Sequence, residues 1–416
     1  LQATRHNTAA TRRAAGARSQ LGPEPLDQRD HKDAIVRIVH VLPGWQRSGA
    51  LTCVECLLDL LPGSQFEQHV WALSAQRAGE PSPAVHASRT RTIVRRGTFD
   101  LAAAWQLRRA VRQAQADLVH AWDGTLHFLS WALCGTCTPL VAALRHWPAS
   151  RQRQAQVVRT LSGGMAVCTA VASRSMLAHL RTLGVPATRL HDVPPLVPAT
   201  VLRAATGSPQ RHVPLRLLGA GDLPDDARVV LWAGTLRVAA RVEDAIWTAD
   251  VIQPLVPALH LVLCGDGPHR AAAERFAHSV RRRAHMHFVG QRVDLPAWRA
   301  ASAAYWHPGA DDLASCSLLE ALATGLPVLA ADTPAHRELI VHGETGLLFP
   351  VGDTHAMARG ALRLLEDPAL AARLGSAARQ RAAELPHAAK VAQEWAEFYC
   401  RAATASNGRR AARRSA

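Results

Sequence analysis

The sequence predicts an α/β protein built from two doubly wound parallel sheets that face each other across a central cleft. Three observations carry that expectation. From residue 35 onward, short apolar runs alternate with longer helical stretches, the pattern of a parallel sheet wrapped by helices. The alternation is interrupted midway by Pro194, Pro195, Pro198, Gly207, Pro209, Pro214 and Pro224 and then resumes. Finally, 416 residues are more than one hydrophobic core usually serves.

Taken in order, the apolar run Ile35–Leu42 reads as a buried strand and Leu51–Leu61 as the helix after it. Val70–Leu73 and Thr92–Val94 read as strands and Ala102–Ala114 as a helix. Leu118–Ala121, Leu140–Ala143 and Met165–Thr169 are further strands, with a helix expected over Ala170–Thr182. In the second half the strands fall at Val229–Ala233, Leu259–Cys264, His287–Val289, Ala303–Trp306 and Val328–Ala331. Helices are expected at Val242–Ile252, His269–Arg283, Ser317–Thr324 and Thr354–Glu366, and after Pro386 an amphipathic helix at Ala388–Tyr399. The resulting division is a disordered segment 1–34, a first domain 35–199, a linker 200–226, a second domain 227–385, a helix 386–400 crossing back onto the first domain, and a disordered Arg-rich tail 401–416. Ligands of such sheets bind at the carboxyl ends of the strands.

Composition narrows the function. Hydrophobic residues at 48% and charged residues at 19% exclude a mostly disordered chain. The longest apolar stretch, Phe128 to Leu144, is broken by Gly135 and Pro139 and is too short to span a bilayer. The polar, Arg-rich start has no apolar signal core, so a cytoplasmic location is expected. Forty-eight basic residues against thirty-three acidic ones give +15, but only Lys32 and Lys390 are lysines and only Asn7 and Asn407 are asparagines. That skew reads as a coding bias toward Arg, with no nucleic-acid partner expected. Peripheral contact with an anionic membrane surface fits the same charge.

Cys53-x-x-Cys56 and Cys134-x-x-Cys137 have metal-like spacing, yet nearly eighty residues separate the pairs. Each also lies in or at the end of an apolar helical pattern, where reduced Cys behaves as a small hydrophobe. No metal site is expected. Three glycine-bearing loops follow strands: Gly44-Trp-Gln-Arg-Ser-Gly49, Gly234-Thr-Leu-Arg237 and Gly265-Asp-Gly267-Pro268. Each lets backbone approach a phosphate near helix amides.

The most informative stretch runs from Gly290 to Pro350. It contains Gly290-Gln-Arg-Val-Asp294, His307-Pro-Gly-Ala-Asp-Asp312, Ser317-Leu-Leu-Glu320-Ala-Leu-Ala-Thr-Gly325-Leu-Pro-Val328, and Glu338-Leu-Ile-Val-His-Gly343-Glu-Thr-Gly346. This resembles the C-terminal nucleotide-sugar domain of the family 4 glycosyltransferases, retaining and metal-independent enzymes of the GT-B fold, two Rossmann-like domains around a cleft. The likeness extends over Val229-Leu-Trp-Ala-Gly234, Arg241-Val-Glu-Asp244 and Cys264-Gly-Asp-Gly-Pro268, and more loosely over Arg37-Ile-Val-His-Val and Asp117-Leu-Val-His120.

The resemblance implies a nucleotide-diphosphate sugar as co-substrate, a glycan or lipid-linked acceptor, and no metal or other cofactor. It implies donor contacts from Gly49, Gly234, Thr235, Gly265, Gly290, Arg292, Ser317, Leu318 and Glu320. Ser317 and Leu318 open a helix whose amides can accept a diphosphate, and the Glu320 carboxylate can accept from both ribose hydroxyls. It places His120, Trp122 and Asp123 on the acceptor side.

Departures from the family pattern are specific. The first of its two spaced Glu residues falls on Asp312, and its diphosphate-clamping Arg and Lys fall on Thr235 and Ala240. Arg237 and Arg241 stand within two residues of those positions and are the candidates to replace them. A second His expected two residues after His120 is Trp122. The expected activity is transfer of a hexose to an acceptor hydroxyl, with Asp312, Glu320, Arg237 and Arg241 as the reactive set and the leaving phosphate oxygen as local base. A nucleotide-sugar binder without turnover, or a polyanion binder using its Arg excess, are the alternatives.

Overall fold

Strand-forming residues occur where the apolar runs predict them, and they assemble into two fully parallel sheets. The computed structural model describes residues 35–414 except 47, 75–88, 98, 149, 164–166, 172, 194–222, 225, 311–314 and 386–387. Segment 1–34, most of the linker 200–226, and Asp312 therefore lie outside the described residues.

The first sheet contains β1 (Val36–Leu42), β2 (Phe66–Ser74), β3 (Thr90–Val94), β4 (Leu118–Trp122), β5 (Leu140–Leu144), β6 (Val167–Val171) and β7 (Leu190–Asp192). Its order is β3-β2-β1-β4-β5-β6-β7, and Ile38 of β1 pairs with Leu118 of β4. The second sheet contains β8 (Arg228–Ala233), β9 (Leu259–Cys264), β10 (Met286–Gly290), β11 (Ala304–His307), β12 (Val328–Ala331) and β13 (Leu347–Phe349), in the order β10-β9-β8-β11-β12-β13. In both sheets the chain winds outward in one direction and then in the other. The reversals fall between β1 and β4 and between β8 and β11, and crevices open there at the carboxyl ends. The described residues from Val36 onward form one compact unit.

Each sheet is buried on both faces, which explains why its strands read as continuous apolar runs. One face of the first sheet packs on helix Gly49–Leu60 and on the C-terminal helix through Val391, Trp395, Phe398, Tyr399 and Ala402. Those residues recur at helical spacing and make one apolar stripe. Val39, Val119, Leu107 and Leu129 lie in the core on the opposite face.

Several elements differ from the pattern reading. Helices Leu126–Ala132, Arg151–Ser162, Leu295–Ala301, Pro334–Leu339 and Pro368–Ala383, and strands β7 and β13, are additional. Most are one or two turns long or three residues wide, too short to show a period. The helix expected from Ala170 starts at Arg174, because β6 runs through Val171 and the Ser173 hydroxyl accepts from Met176 N. The final helix continues through Arg414, so the expectation of disorder over 401–416 is corrected for residues 401–414. Ala and Arg are both strong helix formers, and they dominate that stretch.

Candidate active site

Five loops from the two domains, following β1, β4, β5, β8 and β11, converge at or beside the reversal points. They line one cleft with Ser48, Gly49, Asp123, Arg145, His146, Gly234, Thr235, Arg237, Ala240, His307, Gly309, Ser315, Cys316 and Ser317, floored by Trp232 and Ala233. Local sequence sets each position. Ser48, with extended backbone, accepts from Leu51 N and starts helix Gly49–Leu60 directly after β1. Ser315 accepts from Leu318 N at 3.2 Å and starts helix Cys316–Thr324, which Gly325 ends at φ +77°. Two helix N-termini thus open on the same cleft.

Gly49 has a steric reason to be glycine. A Cβ there would sit 2.4 Å from Arg145 Nη2, so the missing side chain makes room for the guanidinium. Arg145 is 7% exposed, and its Nη2 donates to Cys316 Sγ at 3.5 Å. From the second domain, Arg237 Nη2 donates to His146 Nδ1 at 3.3 Å. That bond leaves the ring proton on Nε2, which faces Asp123 Oδ1 at 3.6 Å. Asp123 holds a left-handed φ of +48°, and its buried Oδ1 accepts no hydrogen bond among the described residues. A residue kept in that region beside a cleft marks a constrained site. Among the described lining residues, two guanidiniums and two helix ends stand against one carboxylate, a balance that favours an anion.

The structure brings together Gly49, Gly234, Thr235, Arg237, Ser317 and Asp123 of the residues expected at the site. The others stand elsewhere. Arg241 has φ +51° at the start of helix Val242–Ile252 and bonds Asp244 at 2.7 Å, so it steadies a helix end instead of facing the cleft. Arg292 is held bidentately by Asp294 at 2.8 and 2.7 Å. Gly265 packs on Gly234, where a Cβ would lie 1.8 Å from the carbonyl oxygen, and its N–H donates to Gly290 O. The glycines at 265 and 290 therefore shape the loop beneath the cleft. Leu318 is fully buried and spends its amide on Ser315.

Glu320 sits one turn behind Cys316, nearly buried, with Oε2 accepting from Arg299 Nη1 at 2.5 Å. Burial raises its pKa while Arg299 opposes the rise. It is committed to an internal ion pair.

His120 and Trp122 are core residues, which corrects their acceptor-side assignment. Both are 0–1% exposed beneath the C-terminal helix, with His120 Nδ1 2.8 Å from the Tyr399 hydroxyl and its ring 4.3 Å from that of Trp122. Trp122 Nε1 donates to His40 Nδ1 at 3.2 Å, and His40 Nε2 therefore donates to Gln68 Oε1 at 3.1 Å. Burial lowers the His40 pKa to about 4 and holds His120 well below the usual imidazole range.

Sequence reading missed Arg145 and His146. No glycine marks their loop. The available signal was their place directly after strand β5, at the carboxyl edge of a parallel sheet.

Comparison with known proteins agrees with this architecture. Residues 47–200 match the family model "Glycosyltransferase Family 4" and residues 218–381 match "Glycosyl transferases group 1". The putative glycosyltransferase EpsD of Bacillus subtilis is 27% identical over 175 residues, 42% of this chain and 46% of the relative. The lipopolysaccharide core biosynthesis mannosyltransferase LpcC of Rhizobium leguminosarum is 33% identical over 173 residues, 40% of this chain and 45% of the relative. Matches to these curated relatives thus span somewhat under half of their length. Among solved structures, Anabaena HepE in complex with UDP and glucose superposes with TM-score 0.70 at 17% identity, covering 87% of this chain and 99% of that one.

Proposed function

Because the chain belongs to the group 1, family 4 glycosyltransferases, we propose that it transfers a hexose from a nucleotide-diphosphate sugar to an acceptor hydroxyl with retention at the anomeric carbon. The acceptor is a glycan or lipid-linked molecule of cell-envelope or polysaccharide synthesis, met by peripheral contact at the inner membrane face. The observation that carries the reading is the convergence of Arg145, Arg237 and two helix N-termini on one cleft. UDP and UDP-glucose bound in structural neighbours of the same fold support the donor class.

In this reading the diphosphate lies across the N-terminus of helix Cys316–Thr324, with Arg237 and Arg145 as counter-charges. The bond from the anomeric carbon to the phosphate oxygen breaks, and its electron pair goes to the phosphate. The acceptor oxygen bonds the same face of that carbon, and its proton passes to the leaving phosphate oxygen. Charge develops on the diphosphate in this step, so preorganised cations and amides lower the barrier. Asp123 and His146 stand on the first-domain wall, where an acceptor hydroxyl would enter. No metal ion is required.

A thermal-shift panel of UDP, GDP, ADP and TDP, with and without attached sugars, tests the donor class. A ligand at a hundred times its dissociation constant stabilises by about 2.7 kcal/mol. One nucleotide family raising the melting temperature supports the reading, and no shift across the panel overturns it. Thr235 and Ala240, where the family carries its clamp, favour one second reading, binding without turnover. Nucleoside diphosphate released on incubation with the stabilising sugar nucleotide and an acceptor distinguishes the two.

A further inference from the structure

The stretch Glu338-Leu-Ile-Val-His-Gly343 stands outside the cleft lining, yet its first residue joins the two domains. Glu338 lies on helix Pro334–Leu339, which follows β12 in the second domain. Its carboxylate meets the start of helix Arg174–Thr182, which follows β6 in the first. Oε1 accepts from the Ser175 hydroxyl at 2.7 Å, from Ser175 N at 2.9 Å and from the Ser173 hydroxyl at 2.9 Å. Oε2 accepts from Arg174 N at 3.1 Å. Four donors on three consecutive residues of one domain thus converge on a single carboxylate of the other. Two of them are first-turn amides that have no acceptor within their own helix. A negative charge there also faces the positive end of the helix dipole. Burial works against the charged form, but the bonds from Ser175, Ser173 and Arg174 outweigh it and hold the carboxyl below its usual range.

Both sides of this contact are braced. Arg381 donates to Glu338 O and to Leu339 O, each at 3.1 Å, and so ties the backbone that carries the carboxylate to helix Pro368–Ala383. In the first domain the Ser173 hydroxyl is 1% exposed and also accepts from Met176 N. The contact lies one strand beyond the cleft in each sheet. β6 neighbours β5, which leads to Arg145, and β12 neighbours β11, which leads to Cys316. The bonds across the cleft itself are longer, 3.5 Å from Arg145 Nη2 to Cys316 Sγ and 3.3 Å from Arg237 Nη2 to His146 Nδ1. The proposed diphosphate site draws Arg145 from one domain, and Arg237 with helix Cys316–Thr324 from the other. Its geometry therefore depends on how the two domains are held.

We propose that Glu338 is a positioning residue for the transfer reaction, tying the domains in the register that sets Arg145 opposite Arg237 and the start of helix Cys316–Thr324. Its role in turnover rests on the function proposed above; the tie itself does not. Glu338 acts through residues 173–175 and does not line the cleft. A chain released from the tie that keeps the site assembled about a tenth of the time binds a diphosphate about tenfold more weakly. A parent nucleoside uses none of those counter-charges and keeps its affinity.

The test compares the full chain with Glu338→Gln, Glu338→Ala and Ser175→Ala. Small-angle X-ray scattering without nucleotide reads the register of the domains. Calorimetric titration with UDP, GDP, ADP and TDP, and with their parent nucleosides, reads the site. Glu338→Ala is expected to raise the radius of gyration and to weaken diphosphate binding about tenfold, with nucleoside binding at wild type. Glu338→Gln keeps an oxygen for the three Oε1 bonds but carries no charge and cannot accept from Arg174 N, so it should fall between wild type and Glu338→Ala. Ser175→Ala should shift both readouts in the same direction from the other domain. Added to Glu338→Ala it should cost nothing further, because the two side chains act as one contact. Wild-type scattering and wild-type affinity in Glu338→Ala overturn the proposal. Equal losses of diphosphate and nucleoside affinity also overturn it, since that is the mark of a fold merely weakened. If no diphosphate binds wild type, the donor reading fails, and scattering alone still decides the tie.

Discussion

Cys53 Sγ and Cys316 Sγ stand 4.0 Å apart, one on the helix that follows β1 and the other on the first turn of the helix that follows β11. The two thiols thus meet across the boundary between the domains, at the edge of the cleft. Contact with Cys53 and burial push the Cys316 thiol well above its ordinary pKa, so little thiolate exists near neutral pH and oxidation there is slow. A dithiol oxidant such as diamide is expected to join Cys53 to Cys316 with loss of two hydrogens, faster as pH rises. Non-reducing peptide mapping should find this cross-link, and Cys53→Ser should abolish it. A map showing Cys53 joined only to Cys56 would contradict the geometry.

Gly49 and Arg145 make a second, sharper pair. A Gly49→Ala methyl would collide only with the end of a flexible side chain, so the guanidinium should move while the fold stays. Unfolding midpoints are expected near wild type. Affinity for a nucleoside diphosphate should fall about as far as in Arg145→Ala, roughly 10- to 100-fold for one charge-assisted contact. Calorimetric titration of both variants checks this.

The Glu320–Arg299 pair is internal, with side chains 12% and 3% exposed. Removing one partner strands a buried charge, and Glu320→Ala should cost about 3–5 kcal/mol in urea unfolding. The double variant Glu320→Gln/Arg299→Met removes both charges and should be the milder change. If Glu320→Ala leaves stability unchanged but weakens nucleotide binding, the carboxylate faces the ligand instead.

Acid sensitivity follows from the buried histidines. The His40 pKa in the folded chain is about 4 against an ordinary 6.5, so the unfolded chain takes up the proton first. Stability is therefore full above pH 6.5 and is lost as pH falls toward 4, by on the order of 3 kcal/mol from His40 alone. His40→Leu should be less stable at pH 7.5, because Trp122 and Gln68 lose their partner, yet lose less on acidification. Urea midpoints measured across that pH range check both signs.

Much of this was legible in the sequence, for identifiable reasons. Parallel strands buried on both faces announce themselves as apolar runs, and cleft residues that follow them next to glycine, such as Gly49, Gly234 and Thr235, could be placed by position. Arg237 was found because it stands beside a family clamp position. What stayed hidden depends on tertiary packing. His120 and Trp122 read as polar and aromatic groups at a strand end, but the C-terminal helix covers them with Trp395 and Tyr399. Glu320 has the right offset from a helix start, yet only the fold reveals Arg299, twenty-one residues earlier, as its partner. Arg145 has no local mark, since its role comes from Gly49 and Cys316, both distant in sequence.

In the proposed function, Arg145, Arg237 and the two helix ends bind a diphosphate. Calorimetric titration of wild type and the Arg145→Ala/Arg237→Ala variant with a nucleoside diphosphate and with its parent nucleoside tests it most directly. Wild type is expected to prefer the diphosphate by well over tenfold, and the variant to lose most of that preference. Equal affinity of wild type for both ligands, or an unchanged preference in the variant, would contradict it.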